Sequence, residues 1–393
     1  MLAYWLDSSF LGFYIACGPV AWTWALTTIP IEQRRMRRDE LLRQPLPDPA
    51  PRVSVIIPAK DEEKGIRACV ASVLGQNYPN LSVIVVDHRS TDRTGAILDE
   101  MAAVDSRLKI VHFVGDMPAG WTGKNHAVNE GYMHADGEYL LFLDADCTLE
   151  PHTLRSMIGA LVHKRVDLVS LMPRLNTKNA WERIIGPFAG LISSMLDRGL
   201  REPYAYGWFL LFQRESYERV GGHAAVRHVL DDDKQLALRI KQFGGRTRVW
   251  WGGDLAALTL DRPRAEIVRG LARNFYTMSK GRPWRLLVCL AFVLICCAST
   301  YAALGFGLVR VLLHPGSAMA WLWLSAGIIH WTTMTGAIVL IYSYGRLPKI
   351  NAIALPLTLL MSITIFIRAL WMCLTGKVTW HDVSYLPKMK PIK

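Results

Sequence analysis

Apolar and polar positions alternate differently in three stretches of the chain. Residues 8–31 carry no charged side chain, enough to cross a hydrocarbon core that needs roughly 20 apolar residues. Residues 52 to about 262 instead alternate short β-branched runs with amphipathic stretches. The runs at 53–57, 82–86, 108–112 and 139–143 predict buried strands, and 64–75, 93–103 and 123–134 place apolar residues at helical spacing between them. Strand and helix in series predict right-handed crossovers and a mainly parallel sheet. In such an α/β fold the ligand lies beyond the carboxyl ends of the strands. From residue 286 the pattern changes again, and 286–309, 320–344 and 352–374 are each long enough to span. Before them, residues 264–280 mix Arg269, Arg273 and Lys280 with Ile267, Val268, Leu271 and Phe275, which predicts a helix lying on the bilayer surface. The expected organisation is a transmembrane helix at 1–33, a basic and proline-rich linker at 34–51 and an α/β domain at 52–262. An interfacial helix at 263–284, C-terminal transmembrane helices at 285–376 and a basic tail at 377–393 complete it.

Charge orients this arrangement. Arg34, Arg35, Arg37 and Arg38 come after the first apolar run, whereas a secretory signal carries its positive charge before it, so cleavage is not expected. The positive-inside rule keeps that cluster cytosolic, with the N-terminus outside and the α/β domain inside. Pro45, Pro47, Pro49 and Pro51 alternate through a stiff linker. One span before the domain and three after would leave the C-terminus outside, although Lys377, Lys388, Lys390 and Lys393 favour the inside. Either the tail's charge is overridden or one apolar run is re-entrant. Arg368, a few residues from the end of the last run, reads as a side chain that snorkels to the interface.

Composition narrows the partners. Hydrophobic residues make up 51% of the chain and charged ones 20%, a mixture that joins a water-soluble domain to membrane spans. A formal net charge of +12 suits an anionic partner, whether nucleotide phosphate, lipid headgroup or nucleic acid. Without zinc-finger spacing or a basic-aromatic block, no nucleic acid partner is expected. Seven cysteines without a C-x-x-C pair indicate neither a disulfide framework nor a thiolate metal site.

The acidic residues fall where the sheet rule puts a ligand. The first predicted strand ends in Pro58-Ala59-Lys60-Asp61-Glu62-Glu63, the second at Asp87, and the fourth runs into Asp144-Ala145-Asp146. Like charges at close range disfavour ionisation, so carboxylates gather around a cation or a ligand's donors rather than for stability. Two aspartates at i and i+2 leaving a strand can share a hard divalent ion and a ribose, since Mg²⁺ fills most of its shell with water and phosphate oxygens. The plainer readings are a turn at Asp144-Ala145-Asp146 with an Asx cap at the start of the helix after Pro151, a strand-end turn at Asp87 and an acidic first helical turn at 61–63. Gly120-Trp121-Thr122-Gly123-Lys124-Asn125 lacks Walker spacing, with Pro118 where the first glycine should stand. A helix start bearing Lys124 still attracts a diphosphate. Asp231-Asp232-Asp233 opens a helix closed by Gly244-Gly245, and three acids exceed what an N-cap needs. Asp233 is placed to accept the proton of an attacking hydroxyl.

The order of these motifs resembles glycosyltransferase family 2, especially its membrane-bound lipid-glycosylating branches. The resemblance is carried by Pro58-Ala59-x-Asp61-Glu62-Glu63, Val85-Val86-Asp87, Gly120-Trp121-Thr122-Gly123-Lys124, Asp144-Ala145-Asp146 and Asp232-Asp233-Lys234-Gln235-Leu236, across about residues 50–275. It implies the GT-A fold, a UDP-type sugar donor, a Mg²⁺ or Mn²⁺ ion and inversion at the anomeric carbon. Carried over residue by residue, Pro58, Ala59, Asp61, Glu62 and Lys124 would line the donor, Asp87 would meet the uracil or ribose, and Asp144 the ribose side. Asp146, with Asp144, would hold the metal. Asp233 would be the base beside Asp232, and Gly207, Trp208, Gly222, His223 and Arg273 would stand on the acceptor side. The family usually has Asn at the place of Asp61 and Glu at that of Asp232. The Gln-x-x-Arg-Trp motif of processive synthases is reduced to Arg273 in Gly270-Leu271-Ala272-Arg273-Asn274. That departure weakens a processive polysaccharide synthase, and the intact acids weaken a non-catalytic nucleotide-binding scaffold. Closer similarity is to transferases associated with hopanoid and carotenoid lipids, within a lipid-glycosylating branch that also resembles ceramide glycosyltransferases, although those too carry the Gln-x-x-Arg-Trp motif. The expectation is one transfer to the hydroxyl of a lipid or lipid-like acceptor, at the cytosolic face of a multi-pass protein of a bacterial inner membrane.

Overall fold

The structure is a computed structural model describing residues 2–37, 44–198, 205–376, 378–380 and 383–385. Arg38, Lys377, Lys388, Lys390, Lys393 and the side chains of Arg34, Arg35 and Arg37 lie outside the described residues. The chain divides into two compact units, one of Met1–Arg35, Thr177–Leu200 and Asp261–Lys393, the other of Met36–Asn176 and Arg201–Leu260.

The second unit is built on a seven-stranded sheet. Its strands are β1 (Val53–Ala59), β2 (Leu81–His88), β3 (Leu108–Phe113), β4 (Tyr139–Leu143), β6 (Leu168–Met172), β8 (Phe209–Gln213) and β9 (Thr247–Trp251), in the order β3-β2-β1-β4-β8-β6-β9. All neighbours are parallel except those of β8, which runs antiparallel to β4 and β6. The predicted strands are therefore present, each within two residues of its expected ends. Alternation sets the layers. Val53, Val55 and Ile57 bury against Ile66, Val70 and Leu98 of the helices Ile66–Leu74 and Thr94–Ala102. Ile56, Leu140 and Phe142 bury on the opposite face with Val128, Leu236 and Ile240 of the helices Gly123–Met133 and Asp232–Gln242. A small second sheet joins β5 (Cys147–Leu149), β10 (Ala256–Leu260) and β7 (Arg174–Thr177).

The first unit is helical. Leu6–Ile31, Pro283–Leu313, Ala318–Ser343 and Lys349–Thr375 are four helical segments long and apolar enough to cross a membrane. The first two contain π-helical turns at Ala16–Val20 and Phe292–Ala298. The helix Arg264–Met278 forms where the basic-apolar mixture predicts it. A further helix, Ala180–Arg198, is not predicted by the hydrophobic pattern, because Gly186-Pro187 interrupts it with a helix breaker. Burial of Ile185, Phe188, Ile192 and Leu196 holds it, and its Ile184 carbonyl accepts the hydroxyls of Tyr342 at 2.9 Å and Thr358 at 3.3 Å.

Candidate active site

Strand ends converge their acids on one rim of the sheet. β1, β2 and β4 are adjacent and parallel, so the segments leaving their carboxyl ends emerge side by side. Asp87, near the end of β2, is 9% exposed. One carboxylate oxygen, Oδ2, lies 3.1 Å from His112 Nδ1, whose Nε2 reaches Asp99 at 2.9 Å. Those two carboxylates, Asp99 foremost, raise the proton affinity of His112. The other oxygen of Asp87, Oδ1, is buried without a hydrogen-bond partner. A Cβ at Gly95 would stand 2.7 Å from Asp87 Oδ2, so the helix Thr94–Ala102 can approach only as glycine there.

The turn after β4 is pinned through its backbone. Asp144 N–H donates to the Trp208 carbonyl at 3.0 Å, Cys147 N–H to the Asp144 carbonyl at 3.2 Å, and Thr259 N–H to the Asp146 carbonyl at 2.9 Å. Both aspartate side chains are left half-buried at the rim. Glu62 belongs to this group. Burial, then the charges of Asp146 and Asp144, pushes its carboxyl up to about 7. Pro58 and Ala59 end β1 just before it. Asp61 has φ +55° and spends one oxygen on the Thr91 N–H at 2.7 Å and the Thr91 hydroxyl at 3.1 Å, while its own N–H donates to Ser90 at 3.0 Å. It clasps the loops after β1 and β2 together.

Lys124 enters from the opposite side. Thr122 caps its helix by accepting the Asn125 N–H, and the ammonium lies 2.6 Å from Asp144 Oδ1 and 3.3 Å from the Gly207 carbonyl. Although burial opposes the charge, Asp144, Asp232 and Asp233 together hold the lysine well above its ordinary value. Asp232 is buried, and Lys124 and His223 keep it ionised against that burial. Its neighbour Asp233 is pushed the other way, by burial and by the charge of Asp232, up to about 7. Gly207 lets Asp233 in, since a Cβ there would stand 3.0 Å from Asp233 Oδ2.

Pro58, Ala59, Asp61, Glu62, Asp87, Lys124, Asp144, Asp146, Gly207, Trp208, Gly222, His223, Asp232 and Asp233 all belong to the second unit; Arg273 lies on Arg264–Met278 in the first. His223 is 1% exposed and sits against Asp232 rather than on an open face. Sequence reasoning missed His112, whose signal is its register opposite Asp87 in the β2–β3 ladder. Among the described residues of this unit, the buried side-chain polar atoms without a partner are Asp87 Oδ1, Asn125 Oδ1, Trp208 Nε1 and Asp232 Oδ2. Buried polar groups are normally paired, and these four belong to residues in or beside the sequence-predicted motifs. Among the described residues no three His, Cys, Asp or Glu side chains are already arranged as a metal cage. The carboxylates of Asp144 and Asp146 are nonetheless donors of the kind a hard divalent cation takes, and it needs only one or two of them.

Residues 54–221 match the family described as Glycosyl transferase family 2. A 4,4'-diaponeurosporenoate glycosyltransferase of Staphylococcus aureus is 32% identical over 188 residues, 46% of this chain and 48% of that protein. The chain thus spans about half the length of the curated relatives it matches. A mannosyltransferase from Pyrobaculum calidifontis, solved in complex with GDP-Man and Mn²⁺, superposes with a TM-score of 0.50 at 22% identity, covering 82% of this chain and 97% of that one. At that identity the likeness speaks for the fold. With the α/β sheet and the rim of acids, these matches make residues 54–221 a glycosyltransferase family 2 domain of GT-A fold.

Proposed function

We propose that the chain transfers a sugar from a UDP-type nucleotide-diphosphate donor to the hydroxyl of a membrane lipid or lipid-like acceptor, with inversion, at the cytosolic face. The observation that carries this reading is the pair of unpartnered buried polar atoms, Asp87 Oδ1 and Trp208 Nε1, beside the acids at the ends of β1, β2 and β4. Asp87 Oδ1, with Oδ2 already held by His112, is an acceptor suited to a base or ribose donor. Asp144 and Asp146 would hold a Mg²⁺ or Mn²⁺ ion, with Glu62 beside them. Such an ion, when bound, offsets negative charge growing on the leaving diphosphate. Lys124 is a further cation at that rim and a partner for phosphate oxygens. Asp233 receives the acceptor's proton, and its raised proton affinity matches a base that works near neutral pH. The four apolar helices and the similarity to a diaponeurosporenoate transferase support a lipid-like acceptor.

Membranes containing the chain, given labelled UDP-sugars, should yield label extractable into organic solvent. Insoluble polymer would favour a processive synthase, and no product with any UDP-sugar would remove the reading. Asp146→Asn should lose metal-dependent UDP binding and transfer, and wild-type turnover in that variant would mean the ligand is misplaced. Asp233→Asn should keep donor binding while losing transfer by about a hundredfold or more; loss of both would mark it as a structural cap.

A further inference from the structure

Behind the two aspartates lies a chain of buried polar groups to which sugar transfer by Asp233 assigns no work. Gly221 and Gly222 have φ of +79° and +51°, and a Cβ on Gly222 would stand 2.6 Å from the Tyr217 ring. The turn they make folds His223 back onto Tyr217. The phenol oxygen accepts the His223 main-chain N–H at 3.0 Å and lies 2.9 Å from His223 Nδ1. The far nitrogen, Nε2, lies 3.4 Å from Asp232 Oδ2. Tyr217 and His223 are each 1% exposed, and Phe142 packs on the imidazole with ring centres 4.8 Å apart.

Counting protons fixes the histidine. The phenol has one hydrogen to give, and burial raises its pKa, so the hydrogen stays on the oxygen. Left without an acceptor, that buried O–H would cost about 1–3 kcal/mol. Nδ1 is the acceptor at hand. An imidazole that accepts at Nδ1 carries its hydrogen on Nε2, the nitrogen that faces Asp232. At 3.4 Å the contact works by charge and N–H dipole, short of an aligned hydrogen bond.

We propose that Tyr217 and His223 are positioning residues for the base: they fix an N–H against Asp232 and so hold a permanent anion beside Asp233. The inference rests on the reading of Asp233 as the base. The charged and titratable groups facing the pair are Lys124 from the helix Gly123–Met133, His223 from the glycine turn, and Asp231 and Lys234 from their own segment. Lys124 is shared with Asp144, whereas His223 faces Asp232 from the enclosed side. An anion at Asp232 raises the proton affinity of Asp233 by like-charge repulsion.

The test is the pH dependence of kcat/KM for sugar transfer in wild type, Tyr217→Phe, His223→Leu and His223→Gln. A glutamine amide can offer an N–H near the place of Nε2; leucine cannot. Tyr217→Phe and His223→Leu should shift the acid limb to lower pH by about one unit and cut kcat about tenfold, with donor KM within about twofold. His223→Gln should keep the limb near its wild-type place. An acid limb unmoved in both Tyr217→Phe and His223→Leu overturns the proposal, since a purely structural role lowers kcat without moving it. Should these variants not fold, nitrogen NMR of the full wild-type chain labelled with ¹⁵N-histidine in lipid nanodiscs decides it. Hydrogen on Nε2 of His223 is the expected result, and hydrogen on Nδ1 overturns the proposal whatever the activity. A wild type that transfers no sugar at all counts against the base, while the nitrogen spectrum still judges the chain behind it.

Discussion

A carboxylate becomes a useful base near neutral pH only when its surroundings raise its proton affinity by about three units. Burial and the charge of Asp232 bring Asp233 up to about 7. If Asp233 is the base proposed above, its charged form does the work, so transfer should rise as pH climbs through about 7 and fall away on the acid side. Asp232→Asn removes the like charge, lowers the proton affinity of Asp233 and should carry the acid limb of kcat/KM to lower pH. A limb that stays put would show that Asp232 does not act on Asp233. Gly207→Ala puts a Cβ 3.0 Å from Asp233 Oδ2, and kcat should fall about tenfold with donor binding intact, because even slight misplacement of a reacting group is costly. The acids themselves were legible in the sequence, since three in a row exceed what a cap needs. Their opposite proton affinities were not. Those depend on Lys124 and His223, brought in from 108 and 9 residues away by the fold.

Elements meet closely where a glycine stands between them. The helix Thr94–Ala102 passes β2 at Gly95, where a Cβ would lie 2.7 Å from Asp87 Oδ2 and 3.5 Å from His112. Gly95→Ala must push Asp87 off the position His112 gives it, and titration with UDP should show binding weakened by about tenfold. Unchanged affinity would free Asp87 from any part in the donor site. In the helical unit, Gly18 meets His330 in the same way, with a Cβ at 2.4 Å from Nδ1. That imidazole is fully buried, takes the Tyr14 hydroxyl at 2.9 Å and lies 3.0 Å from the Cys296 carbonyl in the π-helical turn. Gly18→Ala should cost about 1–3 kcal/mol of stability by overpacking, seen as a lower Tm in detergent with the soluble domain's UDP binding unaltered. The strands were legible because short β-branched, apolar runs stand at 53–57 and 82–86, as expected of parallel strands covered on both faces, and both strands are buried along nearly their whole length. The helix Ala180–Arg198 was not, because what offsets Pro187 is packing that includes hydroxyls 158 and 174 positions further on.

For the whole molecule, the number of membrane crossings must agree with the contacts the spans make. Sequence composition separates an apolar end from a water-soluble middle, but it cannot reveal that 177–200 groups with 1–35 and 261–393, since that grouping is made by tertiary packing alone. Taken as spans, Leu6–Ile31 begins and Pro283–Leu313 ends at Asp7 and Arg310, and these two form an ion pair at 2.5 Å. Trp323, near the start of the next span, donates its indole N–H to the same aspartate at 2.8 Å. Groups in such contact stand at one depth, and charge is costly inside the hydrocarbon. The members of the pair therefore lie at one face, and the chain between residues 37 and 283 begins and ends at the other. By the positive-inside rule, Arg34, Arg35, Arg37 and Arg38 would put that other face in the cytosol, the placement proposed above. A cysteine introduced at the exposed Asp116 should then react with a membrane-impermeant maleimide in inverted vesicles and not in right-side-out ones. One at Gly316, in the turn between the second and third spans, should show the reverse. Labelling of both from the same side would break the two-face assignment, and with it the cytosolic placement of the donor site.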